Sequence, residues 1–242
     1  MRAKVEMIRQ GKGGGGKSFV ASTSARDRIY QGEAPLCGDT DPINATFAGY
    51  AALDVVRLEI LSDNEINSRL FDHLIEMIAT ATTPVIIDNG ASSFSQLSNY
   101  LISADVANLV QQLGHELILH TVVTGGQALR DTLIGLDSLC SQFPPSVPVV
   151  IWLNPYWGAI EAEGKSFEQM RAYNEHRARI SAIVKIPHLK AETFGQDLSE
   201  LLQERKTFQQ GLQAATSTIM TRQRLKIIRD QLFLALAESR AL

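Results

Sequence analysis

Short apolar runs alternate with longer amphipathic segments along most of the chain. Each run is rich in Val, Ile and Leu and ends in polar or turn-forming residues, a pattern that is typical of strands buried in a parallel sheet. The predicted strands are "KVEMIRQ" (4–10), "APLCGDTD" (34–41), "TPVIIDNG" (83–90), "ELILHTVVT" (116–124), "VPVVIWLN" (147–154) and "ISAIVKIP" (180–187).

The segments between these runs carry helical patterns. Residues 18–30 and 127–142 are predicted to be helices, and within residues 64–80 the apolar side chains recur every four positions, along one helical face. Strands that alternate with helices form βαβ units with right-handed crossovers. The sequence therefore predicts a three-layer α/β fold, with a mostly parallel sheet and helices on both faces. In such sheets ligands bind at the carboxyl ends of the strands.

Length and composition limit the class of protein. The 242 residues are enough for one α/β domain, which is predicted to span residues 1–242. No apolar stretch is long enough to cross a bilayer, so stable membrane insertion is not expected and the predicted location is cytoplasmic. Cys37 and Cys140 show no metal-ligand spacing and are predicted to be buried thiols. The net charge of −3 argues against a surface that is basic throughout.

A glycine run, "GKGGGGKS" (11–18), separates the first predicted strand from the first predicted helix, and it fits G-x-x-x-x-G-K-[ST]. A flexible linker would have a similar composition, but it would need neither the strand nor the helix. A phosphate loop uses backbone N–H groups and Lys17 to hold phosphates, and the Ser18 hydroxyl to bind Mg²⁺. The predicted phosphate-binding residues are Gly11, Lys12, Gly13, Gly14, Gly15, Gly16, Lys17, Ser18 and Phe19.

An additional lysine, Lys12, makes the loop "KGGGGKS", which resembles the deviant Walker A motif KGGxGK[ST] of the ParA/MinD family of ATPases. The resemblance implies a P-loop NTPase fold, ATP and Mg²⁺ as cofactors, and a homodimer that forms with ATP. In that dimer Lys12 would reach the phosphates of the partner's nucleotide, so Lys12 and Lys17 are both expected to be catalytic. The simpler alternative is a solvated charge at Lys12. Gly15 departs from the family pattern, where a larger residue is frequent.

Acidic residues close the second and third predicted strands. The segment "CGDTDPINATF" (37–47) resembles the switch I motif D-x-D-P-Q-x-N-A-T of the same family. The resemblance implies that Asp41 orients the attacking water and that Asp39 lies near the metal, while Asp88 resembles the Walker B residue that holds Mg²⁺ through a water. Ile43 departs from the motif, where glutamine is common. The alternative for each acid is an ordinary turn former at a strand end.

Two later segments resemble the base-binding side of these ATPases. Asn154 ends the strand "VPVVIWLN", at the position where family members carry an asparagine that contacts adenine. The segment "KIPHL" (185–189) resembles the loop that recognises the edge of the base, which nominates Pro187 and His188. An Asn-Pro turn after a strand also occurs without any ligand.

The C-terminal region, residues 205–242, is predicted to be helical and basic. It contains seven basic side chains against two acidic ones, although the whole chain is acidic. Within it Leu225, Ile228, Leu232 and Leu236 form an apolar helical stripe. The positive charge could bind DNA or an anionic surface, or it could be the solvated face of a packed helix.

Together these features predict a Mg²⁺-dependent ATPase of slow turnover that works as a molecular switch. "LCGDTDPINATF" (36–47), "QGKGG" (10–14) and "DNEIN" (63–67) resemble most the members of the family that act in plasmid conjugal transfer. This implies a role in conjugative transfer or mobilisation, with a protein partner from that process. One alternative is a plasmid partition ATPase, with a partition protein as partner, that binds nonspecific DNA when ATP-bound. Another is a metabolic phosphoryl-transfer enzyme, in which Lys12 would be incidental.

Overall fold

The computed structural model describes residues 3–240, without the side chain of Arg240. Residues 1–2 and 241–242, at the ends of the predicted domain and of the predicted basic region, lie outside the described residues. The strands are β1 (Lys4–Ile8), β2 (Leu36–Asp39), β3 (Val56–Arg57), β4 (Leu61–Ser62), β5 (Glu65–Ile66), β6 (Val85–Asp88), β7 (Glu116–Thr124), β8 (Val149–Asn154), β9 (Glu161–Ala162), β10 (Lys165–Ser166) and β11 (Ile180–Lys185).

Seven of these strands form one sheet in the order β11-β8-β7-β1-β6-β2-β3. Every neighbouring pair in the sheet is parallel, as the apolar runs predicted. The central strand β1 pairs with β6 on one side and β7 on the other, so that Ile8 is level with Asp88 and His120. The carboxyl ends of β1, β6 and β2 therefore lie next to one another.

Helices cover both faces of the sheet, which confirms the predicted three-layer α/β fold. They are α1 (Lys17–Tyr30), α2 (Asp72–Ala79), α3 (Phe94–Ser103), α4 (Val106–Gln112), α5 (Leu129–Gln142), α6 (Arg171–His176), α7 (Gln196–Gln203), α8 (Phe208–Gln213) and α9 (Ile219–Arg240). Apolar side chains of α2 to α5 pack on one face of the sheet, and those of α1 and α7 to α9 pack on the other. Among residues 3–240, no helix is both long and apolar enough to cross a membrane.

The predicted helix over residues 64–80 is only half correct. Its second half is α2, where Leu74 and Ile78 are buried, but its first half contains β5, the second strand of the hairpin β4–β5, and a 3₁₀ turn over Ser68–Phe71. Asp63 and Asn64 adopt positive φ angles of 54° and 63°, which suits a tight hairpin turn and not a helix. The predicted helix over residues 127–142 begins at Leu129, after a 3₁₀ turn.

A polar network is buried under α1, on the face of the sheet opposite to α2–α5. The Trp152 indole N–H donates to Nδ1 of His120 at 3.0 Å, and His120 Nε2 lies 3.7 Å from Glu6 Oε2. Glu6 is paired in turn with Arg28 at 2.5 Å. Because an indole can only donate, Nδ1 of His120 must be the acceptor, which makes the ring neutral. Burial also lowers the pKa of His120, since it disfavours the charged imidazolium.

This network predicts a loss of stability in mild acid. The pKa of His120 is lower in the folded chain than its value of about 6.5 in the unfolded chain, so acid favours unfolding. As the pH falls from about 6.5 toward the lower pKa of the folded chain, the free energy of unfolding should fall by up to about 1.4 kcal/mol per pH unit. His120→Gln should remove this part of the slope in urea unfolding measured at several pH values. The exposed His73 provides the control His73→Gln, which should keep the slope; an unchanged slope in His120→Gln would contradict the assignment.

Candidate functional site

The glycine run forms the loop between β1 and α1. Gly16 is the N-cap of α1 with φ 99°, and Gly14 has φ 72°, both in the left-handed region that favours glycine. The first turn of α1 contains no acidic residue of its own that would offset the positive end of the helix dipole. A Cβ atom on Gly13 or Gly14 would meet nothing within 4 Å, so the loop is open on that side. This is the arrangement of an anion-binding loop.

Gln10, which precedes the loop, holds its start in place. The buried Gln10 side chain donates from Nε2 to the Val122 carbonyl at 2.9 Å and to the Thr132 carbonyl at 3.2 Å. Its Oε1 accepts the backbone N–H of Lys12 at 3.4 Å. Gln10 was not among the predicted site residues, because the carbonyl groups that its Nε2 contacts lie more than one hundred positions away in the sequence.

Three polar side chains lie close together where the glycine loop joins α1. Ser18 Oγ donates to Asp88 Oδ2 at 2.5 Å, and Lys17 Nζ donates to the Lys12 carbonyl at 3.2 Å. Burial lowers the pKa of Lys17, and the nearby carboxylates of Asp88 and Asp41 oppose that shift. Burial raises the pKa of Asp88 to about 7, while the Ser18 hydrogen bond opposes the rise. The structure thus brings Lys17, Ser18 and Asp88 together at the N-terminus of α1.

Asp39 and Asp41 shape the loop after β2. The buried Asp39 carboxylate accepts the backbone N–H of Asp41 at 2.8 Å and that of Ala48 at 2.9 Å. Burial raises the pKa of Asp39, and these N–H donors oppose the rise. Oδ1 of Asp41 accepts the N–H groups of Ile43 and Asn44 at 3.0 and 3.1 Å. Both oxygens of Asp39 therefore already organise the backbone of the predicted switch I, and Asp41 lies close enough to Lys17 to influence its pKa.

Side chains also connect the predicted switch I to the segment after β6. Asn89 Nδ2 donates to Thr40 Oγ1 at 3.2 Å and to Ser93 Oγ at 2.8 Å. A Cβ on Gly90 would lie 2.7 Å from Cγ of Asp41, so the two loops touch. A rearrangement of one loop must therefore involve the other.

Lys12 lies outside this cluster, on the surface. Its Nζ is 2.8 Å from Oδ2 of Asp131 in α5, and both side chains are about half exposed. The Lys12 hydrogen bond lowers the pKa of Asp131. An ion pair so open to water stabilises a fold little and exchanges partners readily. Asp131 was missed by the sequence analysis, since its contact with Lys12 exists only in the folded chain.

The residues predicted to contact the base lie at the ends of β8 and β11. The Asn154 side chain is directed to the loop, donating from Nδ2 to the Gly15 carbonyl at 3.1 Å. Trp157 donates from Nε1 to the Gly14 carbonyl at 3.4 Å. Pro187 is half-buried and His188 is exposed, just after β11, whose neighbour in the sheet is β8.

The remaining predicted loop residues fit an anion site in different ways. The Phe19 side chain is buried in the apolar layer under α1, so only its backbone N–H is placed to meet a phosphate. A Cβ on Gly15 would make only ordinary contacts, at 3.8 Å to the Lys12 carbonyl oxygen. The structure therefore leaves space for a Cβ atom at this position. Ile43 is 72% exposed and contributes nothing to the core.

ATP and Mg²⁺ fit the residues that are present. Among the described residues, Oδ1 of Asp88 is buried without a hydrogen-bond partner, as expected of an oxygen that awaits a metal-bound water. The α1 N-terminus and the glycine backbone suit phosphates, and Lys17 adds a buried positive charge. Ser18, Asp39 and Asp88 offer the oxygen atoms that Mg²⁺ prefers.

A glycine loop of this form at the carboxyl end of a parallel sheet is the arrangement of the P-loop NTPases, and the chain has the fold of MinD. The MinD cell division protein of Aquifex aeolicus is similar over 95% of this chain and 96% of its own, with a TM-score of 0.53. At 14% sequence identity, this likeness shows the fold alone.

Sequence relatives define the family more closely. A protein named TraL from Escherichia coli is 60% identical over 231 residues, which cover 96% of each chain. A second Escherichia coli TraL is 58% identical over 240 residues, which cover 99% of this chain and 100% of that protein. The chain therefore belongs to the TraL family. No model of a protein family matches the sequence.

The basic C-terminal region is helical between residues 205 and 240, where it contains α8 and α9. The apolar stripe of α9 is buried, with Leu225, Ile228, Leu232 and Leu236 all at 4% exposure or less. Several of the basic side chains are paired: Arg224 with Asp197, and Lys226 and Arg229 with Asp230. Part of the positive charge is therefore neutralised within the chain, although Lys226 and Arg229 share one carboxylate.

The raised pKa of Asp88 predicts that this residue costs stability in the absence of metal. Its pKa rises from about 4 in the unfolded chain to about 7 in the folded chain, so stability is lost as the pH rises through this range. Asp88→Asn removes the buried charge but keeps an acceptor for Ser18. At pH 8 it should therefore be more stable by on the order of 2 kcal/mol, with little difference at pH 4.

Thermal unfolding with and without Mg²⁺ and ADP would test this. Mg²⁺ with ADP should stabilise the unmodified chain more than Asp88→Asn, which has lost its charged metal-binding oxygen. Asp63→Asn, in an exposed turn with φ 54°, is the matched control and should behave like the unmodified chain. Lower stability of Asp88→Asn than of the unmodified chain at pH 8 would refute the prediction.

Proposed function

We propose that the chain is a Mg²⁺-dependent ATPase of slow turnover that forms a nucleotide-sandwich homodimer and switches a step of plasmid conjugative transfer or mobilisation. The observation that supports it most is the separation of the two lysines. Lys17 is buried beside Asp88 and Asp41, whereas Lys12 is directed away from them to the surface, toward Asp131. In this proposal Lys17 serves the chain's own phosphates, and Lys12 serves those of a second copy.

The residues of the site have distinct tasks in this proposal. The loop N–H groups and Lys17 bind the phosphates, Ser18 and Asp88 hold the metal, and Asp39 fixes the switch I backbone through its two hydrogen bonds. Asp41 orients the attacking water, a task that suits an ionised carboxylate near the reacting phosphoryl group. Bound Mg²⁺ would supply positive charge to offset that of the phosphoryl oxygens.

Hydrogen bonds connect switch I to the segment after β6, and they could transmit a change at the nucleotide to the dimer surface. Asn89 connects Thr40 of switch I to Ser93 at the start of α3. A change at Asp41 or Asp88 on hydrolysis would therefore alter both loops and with them the surface presented to the second copy. Dimer formation with ATP and release after hydrolysis would then be the output.

The role in transfer is supported by two full-length relatives named TraL and by the resemblance of the sequence to family members that act in plasmid conjugal transfer. The alternative of a DNA-binding partition ATPase has less support, because Arg224 is paired with the buried Asp197 and the Arg229 side chain is largely buried beside Asp230. A metabolic phosphoryl-transfer enzyme would leave the position of Lys12 unexplained. We therefore favour the switch, with a protein of the transfer machinery as partner, acting in the cytoplasm.

Lys12→Ala should abolish ATP-dependent dimerisation, measured by sedimentation velocity with ATP and Mg²⁺. Its affinity for ATP as a monomer should change by no more than about threefold, because Lys12 lies outside the chain's own cluster of site residues. Lys165→Ala, on the exposed hairpin β9–β10, is the matched control and should dimerise normally. If Lys12→Ala dimerises and hydrolyses ATP like the unmodified chain, the sandwich dimer is excluded.

Asp41→Ala should separate assembly from hydrolysis. Loss of a group that orients the attacking water should lower the rate of phosphate release by about a hundredfold. The variant should still bind ATP and should remain dimeric for longer, since opening depends on hydrolysis. Phosphate release and sedimentation measured on the same sample test both statements. Normal turnover in this variant would remove Asp41 from the mechanism.

A further inference from the structure

Two consecutive carbonyl groups of the phosphate loop accept side-chain N–H groups from the turn after β8. Asn154 Nδ2 donates to the Gly15 carbonyl at 3.1 Å, and Trp157 Nε1 donates to the Gly14 carbonyl at 3.4 Å. Asn154 is 9% exposed, and its Oδ1 accepts the backbone N–H of Tyr156 at 3.1 Å. A flipped amide would place like against like at both positions, so the orientation of the Asn154 amide is determined by its neighbours.

The direction of these carbonyls matters for an anion. In a trans peptide the C=O and N–H groups lie in one plane and point in opposite directions, and the chain contains no cis peptide among its described residues. Holding the carbonyls of Gly14 and Gly15 toward β8 therefore turns the N–H groups of Gly15 and Gly16 the other way. Glycine peptides rotate easily, and a rotated one would present an oxygen to a phosphate.

The turn that carries the two donors is itself held firmly. Asn154 ends the buried strand β8, and the Trp157 ring stacks edge-on against Tyr156, with ring centroids 5.0 Å apart. Gly16 fits closely beneath Asn154, since a Cβ atom there would lie 2.9 Å from Nδ2. Asn154 thus donates from the buried end of a strand and Trp157 from the more exposed turn that follows it, while the acceptors belong to a glycine run.

We infer that Asn154 and Trp157 are positioning residues that hold the phosphate loop with its N–H groups directed at the anion. This inference rests on the proposed nucleotide-binding function of the loop. It differs from the base contact expected of Asn154 from its place in the sequence, because here the Asn154 amide acts on the loop backbone through one N–H of Nδ2 and is oriented by the Tyr156 N–H at Oδ1. A ligand that has phosphates and no base distinguishes the two roles. Loss of a positioning residue should weaken its binding, and loss of a base contact should not.

Inorganic tripolyphosphate and ATP are therefore the two probes, with binding measured by isothermal titration calorimetry. Asn154→Ala should weaken both ligands to a similar extent, by about tenfold, which corresponds to one lost hydrogen bond. Asn108→Ala, on the exposed face of α4, is the matched control and should bind both as the unmodified chain does. Weaker binding of ATP with unchanged binding of tripolyphosphate would overturn the inference in favour of a base contact.

Trp157→Phe provides a second and milder variant, which keeps the aromatic ring and deletes the N–H donor. Hydrogen exchange of the amides of residues 13–16 in the absence of ligand should be faster in both Asn154→Ala and Trp157→Phe. Tyr156→Phe, which changes only a hydroxyl on the neighbouring ring, should leave the exchange unchanged. Equal exchange in all variants and the unmodified chain would overturn the inference.

The exchange measurement also separates this inference from the proposed function. If the unmodified chain binds neither ATP nor tripolyphosphate, the nucleotide-binding function is wrong. Faster exchange in the two variants would still support the restraint on the loop, because it is measured without ligand. Unchanged exchange together with normal ATP binding would instead refute the restraint and leave the ATPase proposal intact.

Discussion

The left-handed turn at Gly16 is the constraint on which the rest of the site depends. With φ 99° it directs the chain from the end of β1 into the first turn of α1. The same turn places Lys17 and Ser18 beside Asp88, which ends the neighbouring parallel strand. A side chain at Gly16 would be strained by the backbone angle and would also press on Asn154. Backbone geometry, more than any single contact, therefore determines where the phosphate-binding groups lie.

This arrangement buries charged groups, and the contacts around them offset the cost of burial only in part. Asp88 and Lys17 are both buried, and their pKa values shift in the directions that disfavour ionisation. Arg9, just before the loop, is buried completely, and burial lowers its pKa to about 9. Its guanidinium lies between the rings of Phe94 and Phe143 and donates to Ser98 at 2.6 Å. Such groups stabilise a fold poorly, so their concentration around one loop indicates a site retained for ligand binding.

Much of the fold could be predicted from the sequence because its signals are local. The buried parallel strands are short runs of β-branched residues, and the glycine loop is readable from eight adjacent positions, 11–18. Residues 64–80 show the limit of this approach. Ile66 and Leu74 do face the same core, but the four-residue period does not distinguish a helix from a hairpin followed by a helix. The left-handed turn at Asp63 and Asn64 decides between them, and its preference is weak in the sequence.

The contacts that could not be predicted share one property, which is long separation along the chain. Lys12 meets Asp131, and the loop carbonyls meet Asn154 and Trp157, across more than one hundred residues. A motif identifies which residues bind phosphate, but it contains no information on what restrains them. In a loop with four consecutive glycines that restraint is necessary, because each glycine can adopt conformations that turn its carbonyl toward the anion. Asn154 at the end of β8 and Trp157 in the turn after it would supply that restraint, so in our proposal the binding of phosphate by this loop depends on the tertiary fold as well as on the motif.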